Sequence, residues 1–103
     1  MIKNYPDLKI SAQLILENGD ILAITEEPIE QKGGKTTHSS RNLYRFQKNG
    51  IYMWKIISDD DRVGNPFISI YNENGEYRSY RWDGGVYKID INKGIATPLY
   101  LAR

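Results

Sequence analysis

Short bursts of alternating apolar and polar residues run along this chain, and a polar, Gly-containing group separates most of them. Period-two alternation is what a half-buried strand needs, because successive side chains point to opposite faces. Ile10, Ala12, Leu14 and Leu16 alternate with Ser11, Gln13 and Ile15. Leu8, Ala12, Ile15 and Leu16 also fit one helical stripe. Strand is favoured because the segment runs straight into Asn18-Gly19-Asp20 and a second apolar run at 21–25. The pattern is clearest over residues 42–57. There Tyr44 and Phe46 are expected on one face of a strand, and Tyr52, Trp54 and Ile56 on one face of the next. Asn49-Gly50 is expected to turn between them, since both residues tolerate positive φ.

Residues 1–9 are expected to be a loosely held lead-in. Residues 26–41 hold Pro28, Gly33-Gly34, Thr36-Thr37 and Ser39-Ser40, and are expected to form a long loop in which strand does not persist. Loops of that length are functional or mobile. A second loop, acidic at its front, covers 58–66. Strands are then expected at 67–71, 76–82, 86–91 and 95–102, with turns at Asn72-Glu73-Asn74-Gly75, Asp83-Gly84-Gly85 and Asn92-Lys93-Gly94. Pro98 removes a ladder donor from the last strand, which points to a sheet edge or a bulge. The expected fold is one all-β domain, a single antiparallel meander of about eight short strands. It would close into a barrel or half-barrel, or form two packed sheets, because a flat open sheet would leave a large apolar face wet.

The chain has 103 residues, with 14 basic and 13 acidic side chains and a net charge of +1. A nearly neutral protein has no global field to draw it onto nucleic acid or an anionic membrane. With no Cys there is no disulfide framework and no thiolate metal site. The N-terminus lacks the apolar region of a signal peptide and no apolar run approaches a membrane span, so a cytoplasmic location is expected. Tyr accounts for 8 residues, against 2 Trp and 2 Phe. It suits pleated, half-buried surfaces and protein interfaces alike.

No catalytic motif stands out. His38 is the single His, in the polar stretch Lys35-Thr36-Thr37-His38-Ser39-Ser40-Arg41, and is expected to be a solvated loop residue; alone it makes a transition-metal site unsupported. Gly33-Gly34-Lys35-Thr36 looks like the end of a phosphate-binding loop, but Ile29 stands where that motif needs its first Gly. Asp59-Asp60-Asp61 lacks the alternating ligands of a calcium loop. It reads as a solvated turn, or as a patch whose crowded charges a cationic partner would relieve. Residues 76–83 are the most loaded strand, with Arg78, Tyr80 and Trp82 on one face and Tyr77, Ser79 and Arg81 on the other. One face would be core; Trp, Tyr and Arg are also the types enriched at interface hot spots. No enzyme activity, cofactor or metal is expected.

The motif Tyr44-Arg45-Phe46-Gln47…Gly50 recurs as Tyr87-Lys88-Ile89-Asp90…Gly94, 43 positions later. That spacing lies in the range of one propeller blade, roughly 40–45 residues. Residues 43–54 resemble the repeat of quinoprotein-type β-propellers, in which a Tyr strand, a Gly turn and a Trp shortly after it recur in every blade. Residues 86–94 resemble it more weakly, with Pro98 where the Trp would fall. A closed propeller takes about four blades and this chain has material for two, so no propeller cofactor site is implied. Small bacterial immunity proteins look like this, and the resemblance implies a protein that binds and neutralises a cognate toxin, such as a nuclease, by covering its active site. The residues expected to meet that partner are Glu26, Glu27, Asp59, Asp60, Asp61 and Asp83, with Tyr80 and Trp82 as aromatic anchors. The alternative is a small β-barrel module for single-stranded nucleic acid or a small ligand, led by Arg78, Arg81 and Trp82.

Overall fold

Gly-centred turns cut this chain into strands too short to do anything but fold back on the previous one. A computed structural model describes residues 9–101, and of the expected lead-in only Lys9 lies within them. The strands are β1 (Lys9–Ile15), β2 (Ile21–Glu26), β3 (Pro28–Glu30), β4 (Thr36–His38), β5 (Leu43–Phe46), β6 (Tyr52–Lys55), β7 (Phe67–Glu73), β8 (Glu76–Arg81), β9 (Gly85–Asp90) and β10 (Ile95–Leu101). One antiparallel sheet has the order β1-β2-β5-β6, a second β10-β9-β8-β7, and β3 and β4 pair by themselves. The all-β, antiparallel expectation is met. Among the described residues the strands form three sheets and close no barrel. An isolated parallel bridge, Ile57 to Ile95, joins the two larger sheets edge to edge.

The stretch 26–41 departs from expectation, for strand does persist in it. β3 and β4 make a two-stranded ribbon in the register Ile29 opposite Thr37. Gly33 and Gly34, both at positive φ (89° and 80°), turn the chain tightly enough for the Gln31 amide to donate to Lys35 O at 2.6 Å. Thr36 and Thr37 are β-branched and suit a strand. Pro28 is tolerated because a two-stranded ribbon has outward positions that need no donor.

A second correction concerns faces. Tyr52 and Trp54 do not point the same way, because the register between β5 and β6 shifts there: Arg45 is opposite Trp54, and Phe46 opposite Tyr52. The extra residue reverses the side-chain phase. Trp54 and Ile56 therefore enter the main core, whereas Tyr52 (39% exposed) meets Tyr44 and Phe46 edge-on, with ring centroids 6.3 and 6.4 Å apart. Tyr44, Phe46 and Ala23 form a separate buried cluster on the other face of that sheet.

The main core lies between the two large sheets. Leu22, Ile24, Leu43, Trp54 and Ile56 come from the first, and Phe67, Tyr87, Ile89 and Ala96 from the second. Three polar ties cross it. Asn42 is buried and donates through Nδ2 to Thr25 O and Phe67 O, both at 2.9 Å, while its Oδ1 accepts from the Phe67 amide at 2.8 Å. Trp54 Nε1 donates to Ile91 O at 2.8 Å, and the ring lies on Gly94, where an added Cβ would come within 2.6 Å of it. Arg45 donates to the same Ile91 O at 2.8 Å and to the Asp20 carboxylate at 2.8 and 3.2 Å.

Pro98 behaves as expected on both counts. β10 is a sheet edge, and its register shifts between Pro98 and Tyr100. No helix of the described residues is long and apolar enough to cross a membrane.

Candidate protein-docking face

Arg81, the last residue of β8, has an inward-facing side chain, and only 1% of the residue is exposed. Its guanidinium carbon sits 4.4 Å from the centre of the Phe67 ring and 4.7 Å from that of Tyr87. Those two rings meet edge-on, at 85°. The guanidinium head does not reach water. Nη1 donates to Asp60 O. Nη2 donates to Ser58 Oγ at 2.9 Å and Ser40 O at 3.3 Å, and lies 3.6 Å from the Asp61 carboxylate. Nε has no partner among the described residues.

Each acceptor belongs to a loop, and the acidic loop 58–65 is stitched further. Asp61 accepts from the Ser58 amide at 3.1 and 3.2 Å and from Ser58 Oγ at 2.8 Å. Ser40, itself buried, donates to Arg62 O and accepts the Asn65 amide at 3.0 Å. The Gly64 amide donates to His38 O at 2.8 Å, which ties the loop to the end of the β3–β4 ribbon. Asn65 Oδ1 accepts the Asp83 amide at 3.1 Å. The Trp82 amide donates to Pro66 O at 3.0 Å, so both turns flanking Trp82 are fixed.

Trp82 follows Arg81 and points outward, 75% exposed, the most open of the large exposed hydrophobic side chains. It stands between two hollows. One, of about 370 Å³, is lined by Asp60, Arg62, Val63, Gly64, Asn65 and Asp83 as well as Trp82. The other, of about 430 Å³, takes Trp82 together with Glu26, His38, Pro66, Phe67 and Ile68. Ile68 reaches the surface because it is the extra residue where the register of β7 against β8 shifts.

The expected partner-binding residues divide accordingly. Glu26, Asp60, Trp82 and Asp83 line these hollows, and Asp59 and Asp61 belong to the same loop. Two residues stand elsewhere. Glu27 is turned to the first sheet, where it accepts from Thr25 Oγ1 (2.6 Å), Tyr44 Oη (3.0 Å) and Lys55 Nζ (3.2 Å). Those three donors, invisible in sequence, drew it away. Tyr80 lies on the outer face of the second sheet, paired with Val86 and Ser69, because its neighbours Ser79 and Arg81 take the inner face. His38, Val63 and Ile68 joined the face without a sequence signal: the ribbon and the register shift that bring them there depend on distant partners.

Charge on this face is partly compensated. Arg62 forks onto Asp60 with two contacts of 2.9 Å, and those hydrogen bonds pull the Asp60 carboxyl down to about 2. Lys9 meets Glu26 at 3.0 Å. Asp83 uses Oδ1 to accept the Gly85 amide at 2.8 Å. Burial, and after it the nearby Asp59 carboxylate, push the Tyr87 hydroxyl up against the pull of Arg81. Among the described residues no group of three or more acidic or His side chains is placed to hold a metal ion.

Residues 8–99 match the model of a family described as Domain of unknown function (DUF7957). No curated protein and no solved structure matches the chain.

Proposed function

The chain belongs to this family of unknown function, and we propose that it is a binding protein whose partner is another protein, docked over Trp82. The observation that carries the reading is the exposed indole between two hollows, set on loops that the fold holds in place. An aromatic ring that loses water on docking is the usual anchor of a protein interface. Asp59, Asp60, Asp83 and Glu26 around it would favour a basic partner surface and speed its approach. A bacterial toxin that cleaves nucleic acid has such a surface, and the immunity role, exercised in the cytoplasm, is the specific form of the proposal. No catalytic function is assigned. The nucleic-acid alternative leans on Arg78, Arg81 and Trp82, and it needs an open cation beside the indole. Arg81 is buried, and Arg78 is held between Glu73 (2.7 Å) and Glu76 (2.6 Å), so neither guanidinium is open to a phosphate.

The test is recovery of partners on the tagged chain in its native host, followed by co-expression. The expected partner is toxic when expressed alone and harmless with this protein. Trp82→Ala should weaken that complex at least tenfold, the scale of a hot-spot residue, and leave thermal unfolding unchanged because the indole is already in water. Neutralisation that survives Trp82→Ala at wild-type affinity would move the interface elsewhere. RNA carried through in place of protein would overturn the reading.

A further inference from the structure

We propose that Arg81 is the positioning residue of the docking face: from inside the core it latches the acidic loop 58–65, so that Asp60 and Asp83 are held beside Trp82 before any partner arrives. The inference rests on the docking reading above for its purpose, but the latch itself can be tested without a partner.

The argument starts from cost. The cleft between Phe67 and Tyr87 is apolar on both walls. A Leu or Met would fill it without dehydrating a charge, and replacing buried ions by apolar groups is often neutral or stabilising. The guanidinium here is not even fully satisfied, since Nε has no partner among the described residues. Stability of the core therefore does not account for an Arg. What the Arg does is specific. Its contacts go to Ser40, Ser58, Asp60 and Asp61. These lie in two segments outside the strands, separated by β5 and β6 and brought side by side.

No ladder holds loop 58–65. Its internal bonds run between its own side chains and amides, such as Asp61 to Ser58 and Asp60 to Arg62. Those bonds shape the loop but do not attach it. Attachment comes from Arg81, from Ser40, from the Gly64–His38 bond and from the bond of the Asp83 amide to Asn65 Oδ1. Arg81 is also adjacent to Trp82, and its carbonyl accepts the Gly84 amide at 2.9 Å, closing the turn that carries Trp82 and Asp83. One side chain thus fixes the loop while its backbone fixes the anchor. A surface ordered in advance loses less conformational entropy on binding.

The test measures amide hydrogen exchange in the free full-length chain, together with affinity for the partner recovered in the co-expression experiment. Arg81→Met keeps the apolar contacts with Phe67 and Tyr87 but removes the donors. A double variant, Ser58→Ala with Asp61→Asn, removes two of the loop's partners for Arg81 but keeps the Asp60 carbonyl, so it should loosen the loop less than Arg81→Met. In Arg81→Met the Gly64 and Asn65 amides, which bond outside the loop, should exchange at least tenfold faster while those of β2, β5 and β9 keep their rates, and in the double variant they should exchange faster by a smaller factor. Affinity should fall about fivefold to tenfold, mostly through slower association. Unchanged exchange of the Gly64 and Asn65 amides in Arg81→Met overturns the latch. Faster loop exchange at wild-type affinity overturns the positioning role; if Trp82→Ala still weakens the complex in that case, the docking reading stands without it.

Discussion

Asp20 and Arg45 meet in a pocket where each residue is only 7% exposed. The Arg45 hydrogen bond is the largest of the effects that hold the Asp20 carboxyl below its usual range, with burial opposing it. A carboxyl lowered in the folded state adds stability that is complete above the unfolded-state value, about 4, and is lost as pH falls through the folded one. Asp20→Ala strands the guanidinium and should cost about 3 kcal/mol at neutral pH. Urea midpoints should show that gap unchanged at pH 7 and pH 5 and narrowing at pH 3. A gap equally wide at pH 3 would mean that the pair adds nothing through its charge. Period-two alternation in the sequence puts Arg45 on the face opposite Tyr44 and Phe46. It turned inward because strand alternation puts it on the core face, where Asp20 and Ile91 O could satisfy it.

At the scale of elements, three Asn-Gly pairs stand in hairpin turns, and they do not make the same turn. Asn74 (φ 54°) and Gly75 (φ 87°) both have positive φ, as in a two-residue type I′ loop between Glu73 and Glu76. At Asn49-Gly50 only the Gly does. The Gly50 amide donates to Gln47 O at 2.7 Å, and the Gln47 amide to Ile51 O at 2.8 Å, the longer turn that ends in a Gly bulge. Asn18-Gly19 repeats that pattern. Asn74→Ala should therefore cost about 1 kcal/mol, the penalty for a non-Gly, non-Asn residue in left-handed backbone. Asn49→Ala should cost less than about 0.5 kcal/mol, because only an exposed side-chain bond to the Ile51 amide is lost. Equal losses in the two variants would contradict the assigned turns. Hairpins were legible because the turn residues are local. Their loop type and the register shifts at Phe46, Ile68 and Leu99 were not, since they are set by which strand lies alongside.

For the molecule as a whole, the question is what makes two four-stranded sheets one body. Besides the shared core, Asn42 binds both: Thr25 in one and Phe67 in the other. Asn42→Ala removes three buried hydrogen bonds to the backbone and should cost about 3 kcal/mol. Asn42→Asp should be worse at pH 7, because an ionised carboxylate would face two carbonyl oxygens. Its folded-state value would be raised, so the extra loss should grow as pH rises above about 4 and fade below it. Chemical denaturation at pH 7 and pH 3 checks the sign. By itself the sequence determined the class of the fold, the strands outside 26–41 and an acidic, aromatic surface, because alternation and turn chemistry are local. It also put Asp60 in a loop and Asp83 in a turn, but Trp82 in the strand before that turn, a strand that ends at Arg81. Only the tertiary structure decided that Arg81 is core rather than surface, that Glu27 and Tyr80 leave the candidate face, and that His38 and Ile68 join it. Each of those outcomes depends on a partner far along the chain. Burial is a property of what packs against a residue, and a period-two pattern says only which residues share a face, never which face is covered.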